Sequence, residues 1–262
     1  PYIKPGFDLA KKLSSEVEKA EGTLKGAVLE KHGLITWGED SKTSYVRTIE
    51  MVSRAEVFIK RKAGKRRAFG GPRMKPLSAA ERREFVTTFM PEFRQVLSAK
   101  RRVVLHFNDS PGVLEFVSSR LGPRVSQQGP ATPDHMLRTK RLPCFLALRG
   151  PRPFKVKQTF KKQLLAYAAA HERYYKRFAK PGMFMLDPYP AVILVPGIGM
   201  ITAGKDRESA LVTAEIYEHS ISVMRQATFV DRYVSLPPAQ AFEIEYWPLE
   251  LYKLTLAPPE KE

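Results

Sequence analysis

Five histidines, one cysteine and a few well-placed aspartates are the residues of this sequence that could do chemistry. His32 stands directly before Gly33-Leu34-Ile35-Thr36-Trp37-Gly38, where a short apolar strand meets a turn. A neutral imidazole at such a place can ligate a metal through a ring nitrogen. His106, Asp109, Asp134, His135, His171 and His219 make up the remaining candidates. His135 precedes Arg138, Lys140 and Arg141, a grouping that could bind an anion or a charged substrate. The plainer expectation is that His106 satisfies a strand hydrogen bond and that His171 and His219 border buried helix faces. Cys144 has no base near it in the sequence, so it is expected to pack rather than react. A single cysteine also excludes an intrachain disulfide framework and a cysteine-only metal cluster.

Charge narrows the partners. Lys and Arg number 44 against 27 Asp and Glu, a net +17. That excess leaves nucleic acid, a membrane surface or an anionic metabolite open. Residues 60–75 hold eight basic residues and no acidic one, and residues 149–162 hold six. The first run contains one aromatic, Phe69, and Gly70-Gly71-Pro72 interrupts it. It reads as a linker over 69–75. No zinc-finger, RNP or GXXG signature accompanies it, so nucleic acid is the least favoured partner. No apolar run approaches the roughly 20 residues that span a bilayer. No signal peptide opens the sequence, so a cytoplasmic setting is expected.

The elements that must position these residues follow from periodicity. Helices are expected over 7–20, from Asp40 or Ser41 to about Lys62, from Ser78 to an interruption at Pro91, from Thr132, over 156–179, and from Asp206 to about Ala227. The helix after Asp40 should carry an apolar stripe that includes Tyr45, Val46, Ile49, Val52 and Ile59. Strands are expected at 26–29, 33–38, 102–107 and 191–195. Ser78 with Glu81 has capping-box spacing. Alternation of helices with short apolar strands makes the class α/β or α+β, packed in layers.

Comparing the sequence with itself reveals a duplication. Gly33-Leu34-Ile35-Thr36-Trp37-Gly38-Glu39-Asp40 aligns with Gly199-Met200-Ile201-Thr202-Ala203-Gly204-Lys205-Asp206, with five of eight positions identical. Over 33–59 against 199–225 the count is seven of 27, so the likeness concentrates in the turn. The two copies differ where it matters for chemistry. His32 in the first becomes Ile198 in the second, which cannot bind a metal.

The segment Val28 to Gly38, with its His32-Gly33 step between strand and helix, resembles the class II aldolase/adducin family. Most of the sequence is similar to the middle of bifunctional rhamnulose-1-phosphate aldolase/short-chain dehydrogenase proteins. The segments that carry this likeness are Pro5 to Ala10, Thr132 to Pro143, Val195-Pro196-Gly197-Ile198-Gly199, and Glu245-Tyr246-Trp247-Pro248-Leu249-Glu250. The resemblance implies an α/β/α layered fold, a mixed or antiparallel sheet flanked by helices, with a degenerate internal duplication. It implies residues 1–68 as the C-terminal part of an aldolase domain. Residues 76–262 would then be a second, degenerate aldolase-like domain leading toward a dehydrogenase domain.

The same resemblance implies an activity, that of an aldehyde-lyase in rhamnose metabolism. A zinc ion, or another divalent metal, would assist retro-aldol cleavage of rhamnulose 1-phosphate to dihydroxyacetone phosphate and lactaldehyde, and NAD would serve the fused dehydrogenase. His32 would be the third of three metal-ligating histidines. The other two, the catalytic acid and the phosphate loop would precede Pro1, so catalysis is expected of a longer parent and not of these residues alone. Thr132 stands where working domains carry a ligand histidine, which speaks against a metal in the second copy. The expected partners are a phosphorylated sugar and further copies of the same chain. A non-catalytic scaffold or assembly role for the second copy is the main alternative, and a basic nucleic-acid-binding module the remote one.

Overall fold

The computed structural model describes residues 2–20, 22, 24–99, 101–146 and 153–253. The chain divides into two compact units, Pro1–Lys65 and Arg66–Glu262. The first contains α1 (Phe7–Lys19), an antiparallel hairpin of β1 (Gly26–Leu29) and β2 (Gly33–Thr36), and α2 (Ser41–Ala63). Asp40 caps α2 by accepting the Thr43 N–H at 2.6 Å. The expected apolar stripe of α2 is not a buried one. None of the helix's residues is buried, and Tyr45, Val46, Ile49 and Val52 are exposed.

The second unit opens on a 3-10 turn, Ala68–Gly70, whose Ala68 and Phe69 are buried in its core. The segment expected as a linker therefore begins inside the packed unit. The unit continues through α3 (Ala79–Leu97), β3 (Val104–Asn108), α4 (Pro111–Val117), α5 (Gly122–Val125), α6 (Pro133–Thr139) and β4 (Cys144–Phe145). It ends with α7 (Pro153–Phe178), β5 (Val192–Val195), β6 (Gly199–Gly204), α8 (Arg207–Val230), α9 (Pro238–Glu245) and α10 (Pro248–Lys253). The sheet runs β3-β6-β5-β4; β4 and β5 are parallel and the other pairs antiparallel.

Strand alternation makes the layers. Val192, Leu194 and Met200 point to a core shared with Phe69, Phe116 and Tyr217, under α4 and α8. Ile193, Val195 and Ile201 point the other way, to Phe89, Phe93 and Phe160 of α3 and α7. The architecture is α/β with helices on both faces of a mixed sheet, as expected.

The interruption expected at Pro91 does not occur, and α3 runs through it to Leu97. Pro91 lies on the solvent side, where the Thr87 carbonyl it leaves unbonded is free to meet water. On the opposite face Phe85, Phe89, Phe93 and Leu97 are all buried at four-residue steps. Their burial outweighs one missing backbone hydrogen bond. The Ser78–Glu81 capping box forms as its spacing predicts.

The duplication is exact in backbone register. Gly26 pairs Thr36 and Leu29 pairs Gly33; 166 residues on, Val192 pairs Thr202 and Val195 pairs Gly199. Thr36 donates its hydroxyl to the Ser44 carbonyl at 3.1 Å, and Thr202 donates to the Ala210 carbonyl at 2.7 Å. Asp206 accepts the Ser209 N–H at 2.7 Å, matching Asp40 with Thr43. A side chain at Gly38 would meet the Ser44 nitrogen at 2.8 Å, and one at Gly204 the Ala210 nitrogen at 2.4 Å. Glycine is required at both places because the helix start passes directly over it. Thr202→Val should therefore lower the stability of the second unit by about 1 kcal/mol, since it deletes a buried hydroxyl bond at nearly constant volume. Urea denaturation checks this, and an unchanged midpoint would show the bond to be idle.

Candidate functional site

The turn between β1 and β2 carries His32, and the turn between β5 and β6 carries Ile198. Both turns are closed alike, with His32 N–H bonded to the Leu29 carbonyl at 3.1 Å and Ile198 N–H to the Val195 carbonyl at 3.0 Å. The preceding residue has positive φ in each, Lys31 at 58° and Gly197 at 76°. One backbone thus presents an exposed imidazole in the first unit and a buried aliphatic side chain in the second. No group of three His, Cys, Asp or Glu side chains able to hold a metal occurs among the described residues. A lone exposed imidazole does not make a metal centre. The described residues do not by themselves fit the zinc site that the resemblance implies.

The four residues grouped around α6 have different nearest neighbours. His135 faces α8, with its Nδ1 2.9 Å from the Ser220 hydroxyl and its ring edge-to-face with His219 at 5.6 Å. Arg138 lies near Asp206, whose carboxyl is held below its ordinary range first by its hydrogen bonds to Ser209, with Lys205 and Arg138 adding to the effect. Lys140, in a left-handed conformation with φ 60° just past the helix, sends its ammonium inward to the Asp187 carbonyl. Arg141 lies over the Tyr174 ring, 4.9 Å from its centroid.

Lys140 enters a buried polar knot. Burial drives its pKa down to about 8, against the pull of Asp187 and Glu245. Glu245, the last residue of α9, is 2% exposed, and burial pushes its carboxyl up to about 7. Lys140, Tyr174 and Arg141 pull that value back. The Tyr174 hydroxyl faces the carboxylate, yet neither it nor the two carboxylate oxygens closes a well-formed hydrogen bond. Asp187 accepts from Arg101 Nε at 2.8 Å and from the Tyr189 N–H at 3.0 Å. His171 is buried, its pKa lowered to about 4 chiefly by burial, with its Nε2 3.4 Å from the Tyr246 hydroxyl.

Beside the knot, α7 and the segment 141–145 enclose a cleft of about 510 Å³. Arg141, Cys144, Tyr167, His171 and Tyr174 are among its walls. The Cys144 thiol is pushed up to about 12 by burial, so it stays protonated and packs, as its sequence context suggests. His106 sits in β3 opposite Thr202, its pKa lowered by burial first and by Arg207 second. Glu245, Tyr174 and Asp187 are not singled out by sequence reasoning. One signal was present: Glu245 is one of two acids, with Glu243, interleaved among Phe242, Ile244, Tyr246 and Trp247.

Residues 84–254 match the family described as "Aldolase class II, second domain". The chain is also 38% identical over 264 aligned residues to "Uncharacterized oxidoreductase YuxG" of Bacillus subtilis (strain 168). That alignment takes in 100% of this chain and 38% of the relative, so the chain spans well under half of that protein's length. No helix among the described residues is long and apolar enough to cross a membrane. With a matched region covering both helix layers and the whole sheet between them, the chain belongs to the class II aldolase family through its second domain.

Proposed function

We propose that this chain is the central part of a bifunctional cytoplasmic protein. Its aldolase cleaves a ketose 1-phosphate of the rhamnulose 1-phosphate type, and its NAD-dependent short-chain dehydrogenase oxidises the resulting aldehyde. The first unit supplies the end of the aldolase domain, with His32 as its one contribution to a zinc site completed by residues of the longer parent. The second unit is a copy of the same fold that no longer carries a metal. The phosphorylated sugar is the substrate partner, and the parent assembles as a homo-oligomer.

The observation that supports this reading best is the pair of superposable turns. The backbone geometry is kept in both, while an exposed imidazole is present in one and a buried isoleucine in the other. Metal content of the full-length parent tests it. His32→Ala should reduce bound zinc and retro-aldol turnover to background while the circular dichroism spectrum is retained. Zinc content equal to that of the unchanged parent would remove His32 from the site. A scaffold role for the second unit is compatible with the first reading.

A further inference from the structure

We propose that the cleft between α7 and residues 141–145 binds a small organic monocarboxylate, its carboxylate forked on Arg141 and its apolar body lying along α7. This rests on the cleft's own chemistry and is independent of the aldolase reading. The volume of about 510 Å³ falls in the range of small-molecule sites, which are mainly apolar with a few placed polar groups. Leu142, Pro143, Ala166 and Ala170 supply such walls. The two alanines open the space, because larger residues on α7 would fill it. The Tyr167 hydroxyl is committed to the Leu142 carbonyl at 2.7 Å, which braces one wall and leaves it little to offer a ligand.

Arg141 supplies the specificity. Its guanidinium lies over Tyr174, and its charge also reaches the buried Glu245 carboxyl, which is not among the cleft's walls. The Tyr174 contact places the guanidinium at the cleft wall, and a fork of N–H groups there suits a planar carboxylate. His171 on the same wall is uncharged at neutral pH, and the Cys144 thiol keeps its proton. The described walls thus present one positive charge and no negative one, which matches a monoanion better than a phosphate dianion.

Calorimetric titration of the full chain with 3-phenylpropanoate and with octanoate tests the proposal, with 3-phenylpropanamide and phenyl phosphate as comparisons. The carboxylates should bind saturably, and the amide at least about tenfold more weakly, since the charge-assisted fork is lost. Arg141→Gln should weaken carboxylate binding by a similar factor. Ala170→Phe, which fills the cleft and leaves Arg141 in place, should abolish it, and this variant decides the matter if Arg141→Gln fails to fold. The proposal is overturned by equal affinity for the amide, by binding unchanged in Ala170→Phe, by tighter binding of phenyl phosphate, or by no binding of either carboxylate at about 10 mM, weaker than which no specific site would be claimed.

Discussion

Lys140→Met is expected to leave the chain nearly as stable as before at pH 5 and about 3 kcal/mol less stable at pH 9. The reason lies in Glu245. Its carboxyl is buried and already titrates above its ordinary value of 4.5, with Lys140 the strongest influence holding it down. Without that ammonium the folded carboxyl titrates higher still, while in the unfolded chain it keeps its ordinary value. The folded state then holds the proton more tightly than the unfolded state. Stability is therefore full below pH 4.5 and is lost as pH rises through the folded value. Lys140 works in the opposite sense. Its lowered pKa means that the folded chain pays for its charge at low pH, so deleting it spares that cost where Glu245 is protonated. Urea denaturation at pH 5, 7 and 9 reads the effect. Removing both charges, with Lys140→Met and Glu245→Gln together, should recover most of the loss at pH 9. Parallel pH profiles for the single variant and the parent would show that the two groups do not sense one another.

Phe93→Ala should cost the second unit about 3–5 kcal/mol. Phe93 is fully buried and stacks on Phe160 of α7, with centroids 3.8 Å apart and planes 23° apart. Phe85 and Phe89 flank it at 6.2 and 6.3 Å. Its removal opens a void between two helices that are each anchored on the same sheet, through Ile193 and Ile201, so the gap has little freedom to close. For a unit of this size the melting temperature should fall by about 10 °C. Phe93→Leu, which refills most of the space, should recover more than half of that by scanning calorimetry. A drop under about 2 °C for alanine would mean that α3 can slide inward, contrary to the packing described.

How much of this was legible in the sequence depends on the range of the interactions. The strand–turn–helix unit was readable because its determinants are local. Thr202 bonds eight residues ahead, Asp206 caps three ahead, and Gly204 yields to the helix that follows directly. Pro91 misled because the local rule for a proline was overridden by four phenylalanine and leucine anchors that only the tertiary fold brings to the sheet. The apolar spacing on α2 was real, but periodicity reports which face is apolar and says nothing about what covers it. The polar knot was illegible for a related reason. Lys140, Tyr174, Asp187 and Glu245 are separated by a helix and by strands, and only the return of α9 places Glu245 beside the turn after α6. His135, Arg138, Lys140 and Arg141 are neighbours along the sequence, but their partners, Ser220 for His135 and Asp187 for Lys140, come from distant segments that only the fold brings close.

The matched hairpins carry one more consequence, for how the two copies have drifted. Their hydrogen bonds and register are the same, yet α2 buries none of its residues and α8 buries seven. The turn's threonine, glycine and aspartate are held chiefly by their own helix start, through contacts no more than eight residues apart in sequence. The helix face answers instead to whatever lies against it, which for α8 is the sheet of its own unit. The two copies accordingly agree at five of the eight positions of the turn and at two of the 19 that follow it.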